Sequence, residues 1–134
     1  VEYAKTNCSE FNNIHFTTED IFSESFKEKS FDIILCTLFT HHFKDEELTR
    51  IFRQFKSQAK LGVVINDLHR HQLAYHSIKL LVDLFSKSEM VKNDAPLSVL
   101  RAFKRKELSE LMAAAEIQRF HLKWMWAFRW QLVF

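Results

Sequence analysis

An α/β fold, a parallel sheet finished by an antiparallel hairpin, is what this sequence predicts, and three observations predict it. Two apolar runs, Phe31–Thr37 (FDIILCT) and Leu61–Asp67 (LGVVIND), end in polar residues, as strands covered on both faces do when they open onto a sheet edge. Each run is followed by a segment of helical apolar spacing, and strand, helix, strand, helix implies right-handed crossovers and parallel strands. Finally, Ile117–Trp126 alternates apolar and polar and Phe128–Phe134 follows at once; the connection is too short for a crossover helix, so these two strands pair antiparallel.

The remaining elements follow in order. Val1 to about Cys8 reads as the end of a helix, stopped by the polar stretch through Asn13, and Ile14–Thr17 alternates as a short strand with Thr18, Glu19 and Asp20 at its end. A polar loop from Ser23 to Ser30 leads into Phe31–Thr37, the expected central strand. From Lys44 to Lys60, Leu48, Ile51, Phe52, Phe55 and Ala59 recur at helical spacing, with Asp45, Glu46 and Glu47 in the first turn, where the helix dipole favours acids. Leu73–Phe85 is helical by the same criterion. Ser86–Phe103 holds the only proline, Pro96, and its Asp, Asn and Ser content predicts an irregular loop over the functional edge of the sheet. Lys104–Ala115 is a helix with Leu108, Leu111 and Met112 on one face.

Composition narrows the classes. The 134 residues fit one domain, with no repeat or linker, and 47% hydrophobic content with fourteen phenylalanines is too rich for disorder. A net charge of +2 with both signs interspersed leaves no basic stripe, so nucleic acid is not an expected partner. The cysteines, Cys8 and Cys36, are too few for a disulfide framework, which fits a reducing cytoplasm. No stretch reaches the length of a membrane span and no secretory signal is visible, so no membrane partner is expected. The chain begins at Val1 within a helical pattern and is expected to be a piece of something longer.

Chemistry-bearing residues gather where strands end. Asp20 can accept hydrogen bonds from an adenine amino group or a ribose hydroxyl, with the Ile21 backbone at the base edge, or it is a solvated loop acid. His41 and His42 follow the expected central strand, Phe31–Thr37: one imidazole lines a pocket as a base near neutral pH while its neighbour points elsewhere, or the two are a polar loop pair or a helix-capping contact. Asn66 and Asp67, followed by His69, Arg70 and His71, either touch substrate or cap the helix starting near Gln72. Arg101 either holds an anionic group or belongs to a solvated charge run with Lys104, Arg105 and Lys106. The histidines make no recognised metal-ligand motif, so no metal is expected. Trp124, Trp126 and Trp130, with Phe128, read as core or a subunit interface.

Taken together, NIHFTTEDIF, KSFDIILCTLFTHHFKDEEL, LGVVINDLHRHQLAY and DAPLSVLRAFKRKELSELMAAAEI with the final hairpin resemble the carboxyl-terminal two-thirds of a class I S-adenosylmethionine-dependent methyltransferase. The likeness is to the ubiquinone/menaquinone-biosynthesis-like group that methylates small molecules. It implies a truncated Rossmann-like sheet, S-adenosylmethionine as cofactor and a small-molecule substrate. By that resemblance Asp20 and Ile21 meet the adenine, Cys36, Thr37 and Leu38 flank the methionine moiety, and His42 is the first candidate base with His41 as its substitute. Asn66, Asp67, Arg70 and Arg101 are the substrate candidates.

The departure from the family is the missing amino-terminal Gly-rich strand, loop and helix; the only glycine is Gly62, and such a loop needs glycine for close backbone approach. The isolated chain is therefore expected to bind the cofactor poorly. With the family's first two strands absent, Ile14–Thr17 loses its neighbours and the edge of the expected central strand lies open, a template for a homodimer or strand swap, or else residues 1 to about 25 are displaced. The alternative to an enzyme is a noncatalytic methyltransferase-like interaction module.

Overall fold

Both apolar runs form strands in the computed structural model, which describes residues 1–134: β1 is Phe31–Thr37 and β2 is Ala59–Leu68. They run parallel, with Ile33 opposite Gly62 and Thr37 opposite Asn66. The hairpin follows as β3 (His121–Met125) and β4 (Arg129–Val133), and β4 pairs antiparallel with β2, so the sheet order is β1-β2-β4-β3. This is the predicted α/β fold with a carboxyl-terminal antiparallel hairpin.

Between β1 and β2 runs α3 (Asp45–Gln58), started by an N–H of Lys44 that donates to Glu47 Oε2 at 3.0 Å. It buries Leu48, Ile51, Phe52 and Phe55, the stripe the spacing predicts. After β2 come α4 (Gln72–Phe85), α5 (Glu89–Arg101) and α6 (Arg105–Ala114). Helix α6 ends where Glu116 takes a positive φ of 61° and the Ile117 N–H donates to Met112 O at 2.9 Å, a left-handed stop that satisfies a terminal carbonyl. Because Ile117 serves there and is buried in the core, β3 begins four residues later than expected.

The core lies on one face of the sheet. Ile34 and Cys36 of β1, Val63 and Ile65 of β2 and Leu132 of β4 pack with Leu48, Ile51, Phe52, Leu108, Leu111 and Met112 of α3 and α6. Gly62 is the one position where size matters, since a Cβ would meet Phe134 O at 3.2 Å; that approach lets Val63 N–H donate to Phe134 O at 2.7 Å. On the other face Ile33 and Leu35 are 59% and 70% exposed. No helix is long and apolar enough to cross a membrane.

Three expectations need correction. No strand forms at Ile14–Thr17, and β1 has no partner beyond β2, so it is an edge strand rather than the central one; a four-residue segment without a neighbour has nothing to pair with. Ser23–Ser30 contains a helical turn, α2 (Glu24–Lys27), after a short α1 (Glu2–Asn7), because Ser23 Oγ accepts the Phe26 N–H at 3.2 Å as an N-cap. Ser86–Phe103 is mostly the helix α5 in spite of Pro96. Ser88 caps its start, and α5 packs on α4 with Pro96 and Val99 buried, so packing offsets the roughly 3 kcal/mol that a proline costs inside a helix.

Candidate active site

The parallel register places the carboxyl ends of β1 and β2 on one rim, and the β3–β4 turn joins them because Leu68 pairs with Arg129 and His69 N–H donates to Phe128 O at 2.9 Å. Open α/β sheets bind ligands at such a rim. A cavity of about 640 Å³ lies there between the rim and the α4–α5 helix pair, lined by Leu38, His41, His42, Leu68 and His69 below, and by Ile78, Leu81, Asp94, Ser98, Trp126, Phe128 and others around it. Two of its lining residues, Leu38 (φ 52°) and Phe128 (φ 56°), hold left-handed backbone that bulky side chains avoid. Strain of this kind concentrates where a site over-determines its geometry.

Beneath the cavity sits a buried polar cluster. Asp67 Oδ2 accepts from Thr40 N at 2.8 Å, Thr40 Oγ1 at 2.5 Å and His41 N at 3.2 Å, while Oδ1 lies 2.6 Å from His41 Nδ1 and accepts from Leu68 N at 2.7 Å. The side chains of His41 and Asp67 are each only 3% exposed. Burial pushes the Asp67 carboxyl up, but hydrogen bonds from His41, Thr40 and the Leu68 N–H, with the imidazole's charge, outweigh it and hold the group below its ordinary value. Burial first, and the charge of Asp67 second, push the Cys36 thiol up to about 12, so Cys36 is a neutral core residue and no nucleophile.

His41 and His42 both line the cavity, with ring centroids 4.1 Å apart. The expectation that one would point elsewhere fails: both residues of the 3-10 turn Thr40–His42 line the cavity, and their rings pack on each other. Their environments differ: His41 is buried and held by Asp67, whereas His42 is exposed and makes no side-chain hydrogen bond.

A second depression, an apolar trough of about 490 Å³, follows the open edge of β1 and is lined by Glu19, Ile21, Phe26, Ile33, Leu35 and Phe39 with Cys36 and Thr37. It brings together the expected cofactor residues Ile21, Cys36 and Thr37, while Leu38 faces the other cavity. Asp20 is not in the trough: its Oδ1 accepts Phe22 N–H at 2.9 Å and shapes its own turn. Glu19, paired with Lys29, is the acid that lines it. The signal was present in the TTED segment, but without a strand its acids had no predictable facing.

The expected substrate residues divide. Asp67 caps no helix and reaches no cavity, being saturated by Thr40, His41 and Leu68. Arg70 is paired with Glu107 of α6 and Arg101 is exposed in the last turn of α5; neither lines the cavity at the rim. Asn66 pairs across to Thr37 and Gln131, and its Oδ1 is buried without a partner. Trp130 is core, as read from sequence, but Trp126 and Phe128 line the cavity and Trp124 Nε1 donates to His69 Nδ1 at 3.2 Å. Burial and the neighbouring His71 charge push the His69 imidazole down from its ordinary value. No group of three His, Cys, Asp or Glu residues comes together as metal ligands would.

This arrangement matches known proteins in fold. A family model described as a methyltransferase domain matches residues 1–62. No curated protein matches the sequence significantly. Among solved structures, magnesium protoporphyrin IX methyltransferase from Synechocystis PCC 6803, solved with bound SAH, is similar over 98% of this chain and 55% of its own, with 16% identity and a TM-score of 0.55. A candidate O-methyltransferase from Nostoc punctiforme PCC 73102 is similar over 78% of this chain and 31% of its own, at 13% identity and a TM-score of 0.51. The likeness is one of fold: the α/β arrangement is shared with these two methyltransferases. The chain spans about half of one neighbour's length and under a third of the other's.

Proposed function

We propose that this chain is the acceptor-binding, carboxyl-terminal part of a single methyltransferase domain that moves a methyl group from S-adenosylmethionine to a small molecule. The observation that carries the reading is the placement of trough and cavity on either side of the β1 end: Thr37 and Phe39 line one, Leu38 and His41 the other. Cofactor and acceptor sites that meet at the end of one strand suit in-line transfer, in which holding the reacting atoms in register supplies most of the catalysis.

The residues present fit one side of the cofactor. Ile21, Ile33, Leu35 and Phe39 offer an apolar bed for a flat base and Glu19 an acceptor at its margin, but Gly62 sits at the far end of β2 against Phe134, so no glycine loop backs the trough. When bound, S-adenosylmethionine supplies an electrophilic methyl on sulfur. This chain's residues shape the acceptor cavity, exclude water with α4 and α5, and take a proton at His41 where the acceptor must lose one.

Calorimetric titration of the intact enzyme with S-adenosylhomocysteine tests the reading: saturable binding weakened by Ile21→Asp is the expected result, and absence of binding overturns it. The bare β1 edge favours a second reading, an interaction module, and absence of binding would favour that instead. In the binding-competent enzyme, His41→Ala is expected to lower turnover about 10²–10⁴-fold, the range for loss of a general base, while His42→Ala lowers it less.

A further inference from the structure

Thr40, His41, Gln58 and Asp67 are the buried polar residues of the chain, and all but Gln58 belong to one cluster. A buried carboxylate is costly to hold, and apolar residues of similar volume commonly serve stability as well or better. Its geometry is fully specified. Thr40 N–H, Thr40 Oγ1–H and His41 N–H hold Oδ2, so the carboxylate cannot turn, and Oδ1 is left to Leu68 N–H and His41 Nδ1. A carboxylate only accepts, so His41 Nδ1 at 2.6 Å carries the hydrogen. The neutral ring then has its lone pair on Nε2, which makes no hydrogen bond within the protein and belongs to a residue that lines the cavity.

We propose that Asp67 is a positioning residue that presets His41 as its Nδ1–H tautomer with Nε2 presented to the cavity, and that this site takes acceptors arriving with a removable proton, hydroxyls or N–H groups. The acceptor class rests on the methyl-transfer reading; the tautomer is a property of this chain alone. In the step the acceptor's X–H bond breaks, its electron pair stays on X, which becomes the nucleophile, and the proton bonds to Nε2. The imidazolium keeps its Nδ1–H on Asp67, whose negative charge balances it without taking the proton, as in other carboxylate-held histidines. His42, with no hydrogen bond to fix its ring, lacks this preset.

Long-range proton–nitrogen correlation spectra of the chain labelled with ¹⁵N-histidine test this, with His41→Gln used to assign the resonances. At mildly alkaline pH, His41 is expected to show a pyrrole-type Nδ1 and a pyridine-type Nε2; a protonated Nε2, or an exchanging mixture, overturns the assignment. Asp67→Asn is expected to abolish that signature and Thr40→Val to retain it; an unchanged signature in folded Asp67→Asn overturns the positioning role. Should Asp67→Asn not fold, the unsubstituted chain still decides. For the acceptor class, phenol, which keeps its proton at that pH, is expected to shift the His41 Nε2 resonance and anisole, which has no proton to give, to leave it in place. Equal effects, or none from either, overturn the class. The predicted tautomer in a protein that fails to bind S-adenosylhomocysteine would sink the methyl-transfer reading and leave the positioning role standing.

Discussion

Replacing Asp67 with alanine is expected to remove a large share of the chain's stability. Its carboxylate receives hydrogens from Thr40, His41 and Leu68 at 2.5 to 3.2 Å, and the side chain is 3% exposed. Each buried donor left unpaired costs about 1–3 kcal/mol, and breaking a buried pair by deleting one partner costs about 3–5 kcal/mol in all. A loss of about 4 kcal/mol is thus expected from a total of about 5–15 kcal/mol. Urea denaturation followed by circular dichroism reads this as a midpoint lowered by about 2 M for a slope of about 2 kcal/mol/M. A loss below about 1 kcal/mol would mean that water reaches the cluster and that Asp67 pins nothing.

The same carboxylate has a pH signature. Its folded-state pKa is depressed by the hydrogen bonds that outweigh burial, so the unfolded chain binds a proton at higher pH than the folded one. The contribution is therefore fully present above the unfolded value, about 3.9, and is lost as pH falls through the folded value. Asp67→Asn keeps the shape and removes the titration, so the stability gap between it and the unsubstituted chain is expected to narrow as pH falls below about 3.9, the unfolded value. A constant gap across that range refutes the reasoning.

Leu38 holds a φ of 52°, a conformation costing a non-glycine residue about 1–2 kcal/mol; Leu38→Gly is expected to leave the melting temperature level or raised, and Leu38→Val to lower it, the reverse order counting against strain at the site. His69 is held below its ordinary value by burial and by His71, and its Nδ1 accepts from Trp124; because the unfolded state protonates first, this contribution is present above about pH 6.5 and lost as pH falls. Trp124 emission should change over that interval in the native chain but not in His69→Gln. The open β1 edge, with Leu35 70% exposed, is expected to pair with the same edge of a second copy at high concentration; sedimentation should show association that Leu35→Lys reduces, and identical behaviour of the two removes the edge as the cause.

What was legible in the sequence was set by local patterning. Phe31–Thr37 carries its own strand signal, and α3 its own apolar stripe, so both emerge where expected. The misreadings arise where distant partners decide. Ile14–Thr17 alternates like a strand but has no neighbour to complete a ladder, and Pro96 breaks a helix only when packing does not hold it, as the contact with α4 does here. The polar ends of β1 and β2 share one rim, yet their surroundings depend on contacts far apart in sequence: Asp67 meets Thr40 and His41 across 27 and 26 residues, Arg70 meets Glu107 across 37, and Trp126 reaches the cavity only because the hairpin turn folds back on Leu68 and His69. No spacing rule encodes those meetings.

The choice between two adjacent histidines shows how far such meetings govern chemistry. On composition and position His41 and His42 are equivalent, and both residues line the same cavity. What separates them is that the 3-10 turn directs Thr40 and His41 inward onto Asp67 at the end of the neighbouring strand. An exposed imidazole can accept a proton but has neither a fixed tautomer nor a fixed bearing on the acceptor; a ring pinned through Nδ1 has both before the acceptor arrives. The parallel pairing of β1 with β2, which sets Thr37 beside Asn66 and so brings Thr40 over Asp67, is therefore what turns a polar loop into a candidate base. A variant that shifts this register while keeping His41 should lose the tautomer along with the strand pairing.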